Sequence, residues 1–115
     1  MTGRAPLRQR GRRAAAKHAR DFGAQAARCR SLPCSVCVAL RLQQVTRTEA
    51  HHEPPRSRGG ADRDTLPLCS AHHAARHNYG ARAFWTSYRI DPEAVLAAVR
   101  LGTPTPGDPH SAIPY

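Results

Sequence analysis

The spacing of apolar positions changes character several times along the chain. Residues 1–12, MTGRAPLRQRGR, mix Gly, Pro and Arg with no period, which predicts a disordered basic arm. Residues 13–30, RAAAKHARDFGAQAARCR, are alanine-rich, and Ala16, Ala19, Phe22, Ala26 and Cys29 recur at helical spacing. One helix over 13–30 is expected, weakened at Gly23 and stopped before Pro33, where PCSVC reads as a tight knuckle. In LRLQQVTRTEA, Val45, Thr46 and Thr48 make the end a strand candidate running into His51. EPPRSRGGADRD is a loop by its Pro and Gly content. TLPL is a short second strand, which Pro67 confines to a sheet edge or strand end. Ser70 to Asn78 reads as a helix closed by NYG, and ARAFWTSY as another short helix. DPEAVLAAVRLG carries Asp91 at an N-cap, Pro92 at the first helical position and Gly102 past the end. TPTPGDPHSAIPY is a Pro-rich tail, expected to be flexible. The pattern predicts an α+β chain with a domain over 13–101, divided into a helix (13–30), a compact core (32–80) and C-terminal helices (81–101), then a tail (102–115).

Composition sharpens this picture. The chain has 115 residues, enough for one domain, and only 5% are aromatic, so the core is small and calls for a metal or disulfide staple. No apolar run approaches the ~18 residues of a membrane span. No apolar stretch follows the first charges, so a secretory signal is not expected and a cytoplasmic, reducing location is. There, four cysteines point to metal binding rather than disulfides. The formal charge is +10, concentrated at the start: residues 1–30 hold nine cations against one acid, and 31–115 nine against seven. Seventeen of the eighteen cations are Arg, whose fork matches phosphate. A basic arm on a near-neutral body points to nucleic acid.

The densest chemistry is CSAHHAARH, residues 69–77. Cys34, Cys37, Cys69 and His72 form C-x2-C, 31 intervening residues and C-x2-H, the donor set of a closed structural Zn²⁺ site. Cys29 is the alternative to His72 as fourth ligand. His73 and His77, at i and i+4, share a helix face different from that of Cys69 and His72, so one helix can serve two ions. His51 and His52 are adjacent on a strand and point to opposite faces, so a turn must bring both to one site or only one acts there. Phe84 and Trp85 read as core rather than as base-stacking groups.

Together, C-x2-C, EAHHEPPRSRGG and LPLCSAHHAARH, followed by FWTSYRIDPEAVLAA, resemble the HNH endonucleases of the ββα-metal (His-Me finger) superfamily, in particular small phage and prophage proteins with a zinc knuckle. The likeness covers about residues 32–99. It implies a β-hairpin and helix gripping one divalent ion (Mn²⁺, Mg²⁺, Ni²⁺ or Zn²⁺), and hydrolysis of DNA to 5′-phosphate and 3′-hydroxyl ends. It implies His52 as general base, with His51, His73 and His77 as ligands. The family's middle Asn, which orients the base, is Asp64 here; Asp62 and Thr65 are alternatives for that place. Arg12, Arg13, Lys17 and Arg20 of the arm, and Arg56 and Arg58 of the loop, are the candidate phosphate contacts. The alternative is a zinc-stapled nucleic-acid-binding accessory protein that does not cut.

Overall fold

The computed structural model describes residues 13–15, 17–18, 20–55 and 58–103. The arm 1–12 and the tail from 104 onward lie outside the described residues. Within them the chain is a small α+β structure: α1 (Ala24–Ser31), α2 (Ser35–Leu40), β1 (Thr48–His52), a 3-10 turn (Asp62–Asp64), β2 (Thr65–Cys69), α3 (Ser70–Tyr79), α4 (Ala81–Tyr88) and α5 (Pro92–Gly102). The strands form one antiparallel pair, with Thr48 opposite Cys69 and His52 opposite Thr65. In a two-stranded sheet both strands are edges, which accommodates Pro67 opposite Ala50.

Two expectations are corrected. The single helix over 13–30 is broken: helical residues end at 21, Phe22 and Gly23 bend, and α1 starts at Ala24. The cause is tertiary. Asp62, on the turn before β2, accepts from the backbone N–H groups of Gly23 (2.7 Å), Gln25 (3.0 Å) and Ala26 (2.8 Å). A carboxylate from 36 to 39 residues away thus caps α1, satisfying N–H groups that a continuous helix would pair internally. The knuckle PCSVC is also a helix start: Cys34 precedes α2 and Cys37 lies inside it.

α5 follows its punctuation at the start, while its end runs one residue further than expected, through Gly102 to a cap at Thr103. Asp91 accepts from the Glu93 N–H at 3.0 Å, and Pro92 opens the helix. The core gathers Cys34, Val36, Cys37, Leu66, Leu68, Cys69, Phe84, Trp85 and Leu96, all at most 4% exposed. Three of these nine are cysteines of the candidate zinc set, so stapling and core coincide. Phe84 and Trp85 are buried, as their core reading requires. In the connecting loop, Gly59 has φ +90°, and a Cβ on Gly60 would overlap the Pro54 carbonyl oxygen. The pair lets the loop fold back on the end of β1. Among the described residues, no helix is long and apolar enough to cross a membrane.

Candidate metal centres

Cys69 ends β2 and α3 begins at the next residue, so Cys69 and His72 lie one turn apart. Cys34 and Cys37 meet them from the start of α2. Gln44 holds that start in place: its Oε1 accepts from the Cys34 N–H at 2.7 Å, and its Nε2 donates to Thr48 Oγ1 at 2.8 Å. Ser35 Oγ donates to the Pro67 carbonyl at 2.8 Å, tying α2 to β2. The Sγ atoms of Cys34, Cys37 and Cys69 lie 3.5, 3.7 and 3.2 Å from His72 Nδ1. Tetrahedral Zn²⁺ sets sulfur and nitrogen about 3.6 Å apart, given metal bonds of about 2.3 and 2.05 Å. The four donor atoms lie within 4.8 Å of one another. This Cys3His group fits a zinc ion.

The electrostatics agree. Burial, and then the neighbouring Cys34 and Cys69 sulfurs, push the Cys37 thiol up to about 12. A central cation removes that opposition, because thiolates bind it directly. Burial lowers His72 below the usual imidazole range, favouring the neutral, ligating form. Cys29 is not part of the group. Its Sγ lies 3.8 Å from Thr65 Oγ1, and burial pushes its thiol up to about 11.

A second group comprises His51, His73 and His77, whose ligand atoms also lie within 4.8 Å of one another. Two carboxylates fix its ring nitrogens. Glu53 Oε1 lies 2.6 Å from His51 Nε2 and also accepts from Arg76 Nε at 2.9 Å, while Oε2 accepts from Trp85 Nε1 at 3.0 Å. Burial opposes ionisation of Glu53, but the His51 and Arg76 bonds outweigh it and bring the carboxyl down to about 2. Ionised Glu53 can only accept, so His51 Nε2 carries the proton and Nδ1 keeps a lone pair. That Nδ1 is buried and has no hydrogen-bond partner. His73 Nδ1 likewise donates to Glu49 Oε1 at 2.9 Å, leaving Nε2 for a ligand. Carboxylates orienting imidazoles in this way are the usual outer support of a metal site. Burial lowers both His51 and His77, keeping them neutral and able to ligate. The residues fit a divalent ion, and the orphaned His51 Nδ1 is the atom that calls for one.

His52 lies on the opposite face of β1 yet reaches the same space. A cavity of about 450 Å³ is lined by Phe22, Ala50, His51, His52, Pro55, His73 and His77. His52 Nε2 donates to the Asp21 carbonyl at 2.6 Å, and Phe22 stands edge-on to its ring at 4.8 Å. A carbonyl can only accept, so the proton sits on Nε2 and Nδ1 is the atom that can take another.

The orienting role expected of Asp64 is corrected. Its Oδ1 accepts from Arg100 Nη2 at 2.7 Å and its Oδ2 from the Ala61 N–H at 3.0 Å. Only its backbone carbonyl touches the end of β1, through the Glu53 N–H at 2.8 Å. The alternatives do not orient the ring either: Asp62 caps α1, and Thr65 Oγ1 donates to the Asp62 carbonyl at 2.7 Å. Asp21 holds the imidazole instead.

Among the candidate phosphate contacts, Arg12 and Arg56 lie outside the described residues. Arg13, Lys17, Arg20 and Arg58 are exposed. Lys17 Nζ pairs with Asp21 at 2.9 Å, and Arg20 Nε lies 3.5 Å from the same carboxylate. Sequence reading passed over Asp21, Glu49, Glu53 and Arg76. One signal for one of them was present: Glu49 and His51 alternate, so β1 carries both on one face.

No protein-family model matches this chain, and no curated protein or solved structure does.

Proposed function

We propose that the protein is a metal-dependent endonuclease of the HNH type acting on DNA. The observation that carries this reading is the meeting of His51, His73 and His77 with His52 on one cavity wall. A module that needed only a folded zinc staple would have no use for this second set. His51, His73 and His77 would hold the divalent ion, with Glu49 and Glu53 orienting two of the rings. Bound there, Mn²⁺, Mg²⁺, Ni²⁺ or Zn²⁺ supplies Lewis acidity toward the phosphodiester.

The chain's own groups perform the rest. His52, positioned through Nε2, takes a proton from water at Nδ1. The water oxygen bonds to phosphorus as the bond from phosphorus to the 3′ oxygen breaks, and the departing 3′ oxyanion takes a proton from solvent, leaving a 5′-phosphate and a 3′-hydroxyl. Phe22 and Pro55 line the cavity with apolar surface. The Cys3His group would hold structural Zn²⁺ and fix α3, and with it His73 and His77. Arg13, Lys17, Arg20 and Arg58, with Arg12 and Arg56, would contact phosphates.

One observation favours a second reading, a non-cleaving nucleic-acid-binding protein: the Asp64 carboxylate faces Arg100 rather than His52. Plasmid nicking separates the two, with wild type beside His52→Ala under Mn²⁺, Mg²⁺ or EDTA. Metal-dependent nicking lost in His52→Ala is expected. Folded, zinc-loaded protein that binds DNA but nicks under no metal would overturn the endonuclease reading.

A further inference from the structure

Beside the three-histidine cavity runs a second groove of about 570 Å³. It shares Phe22, Ala50 and His73 with the first and adds Arg30, Arg47, Thr48 and Glu49. Arg30 comes from the last turn of α1, and Arg47 immediately precedes β1. Both arginines are exposed, and neither guanidinium is paired with a carboxylate among the described residues. The groove's one acid, Glu49, already binds His73 Nδ1. Two arginines without a carboxylate partner therefore line a groove that shares His73 with the candidate metal centre.

We infer that Arg30 and Arg47 form a binding site for a non-scissile phosphodiester of the DNA strand whose neighbouring phosphate occupies the three-histidine cavity. The strand passes beside Phe22, and each guanidinium offers a planar fork to phosphate oxygens. The contact is to backbone, so it positions the strand without reading its sequence. It rests on the endonuclease reading for its register but not for its measurement.

The test is fluorescence anisotropy with a labelled 20-base-pair duplex, over a range of salt, on zinc-loaded protein carrying His52→Ala so that nothing is cut. Arg30→Gln with Arg47→Gln is expected to weaken binding on the order of tenfold and to reduce the slope of log K against log salt by about two. Arg30→Lys with Arg47→Lys should restore most of the slope, since a charge remains. Arg82→Gln, at an arginine that lines neither the three-histidine cavity nor this groove, should leave it unchanged. An unchanged slope in the double Gln variant, with zinc content and circular dichroism intact, would overturn the inference. So would displacement of the duplex by millimolar inorganic phosphate at constant ionic strength, which would mean an isolated anion pocket. Nicking by wild type is scored separately: a protein that loses slope in the double variant but never nicks retains this site and loses only the endonuclease reading.

Discussion

Glu53 gives the sharpest test of how the second histidine group is held. Glu53 is 7% exposed, and its carboxylate engages His51, Arg76 and Trp85 at 2.6 to 3.0 Å. Glu53→Gln keeps the shape but removes the charge and leaves the buried Arg76 without a counterion. Breaking a buried pair from one side costs about 3–5 kcal/mol. Proton linkage gives a second route to the magnitude. The folded-state pKa is depressed from 4.5 to about 2, worth about 3.4 kcal/mol at about 1.36 kcal/mol per unit. For a depressed acid this stabilisation is fully present above the unfolded value of 4.5 and is lost as pH falls toward about 2. The assay is urea unfolding of zinc-loaded wild type and Glu53→Gln at about pH 7, where the zinc group stays intact in both, with no other divalent ion added. The stability gap should be about 3 kcal/mol. A gap below about 0.5 kcal/mol, typical of a neutral surface change, would refute the buried ion-pair account.

Two further outcomes follow from the donor groups. Glu49→Gln should weaken Mn²⁺ or Ni²⁺ binding by about 10- to 100-fold while zinc content stays at wild-type level, read by calorimetric titration and metal analysis; simultaneous loss of zinc would contradict two separately built centres. Cys37→Ser, or chelation of wild type, should abolish cooperative unfolding, because structural zinc contributes about 10–16 kcal/mol against a typical net stability of 5–15 kcal/mol. A stripped protein that still unfolds in one sharp transition by circular dichroism would contradict the staple.

Local signals carried much of this in the sequence. The Cys and His spacing named the Cys3His group, the i, i+4 pair placed His73 and His77 on one face, and Asp91-Pro92 marked the start of α5. What escaped depends on partners distant in the chain. The break at Phe22–Gly23 has no cause within α1, since the capping carboxylate belongs to Asp62. Asp64 sits where the motif leads one to expect an orienting residue, but Arg100 on α5 claims its side chain. Glu53 reads as a loop residue beside two prolines, and only the approach of Arg76 and Trp85 makes it a buried anion.

Helix α3 supplies His72 to one donor group and His73 and His77 to the other, within ten residues. Adjacent residues on a helix are separated by about 100° of rotation, so the two groups are held at a fixed angle by backbone winding alone. The lineage of this protein is thereby constrained in a particular way. Ala71 and Ala74 can drift in identity, because neither supplies a donor. A single codon gained or lost between Cys69 and His77 would turn one set of imidazoles away from its centre and could not be repaired by any substitution nearby. Glu53, directly after His52, shares this constraint through its bond to His51, so length variation among descendants should fall outside both segments while the helix keeps its count.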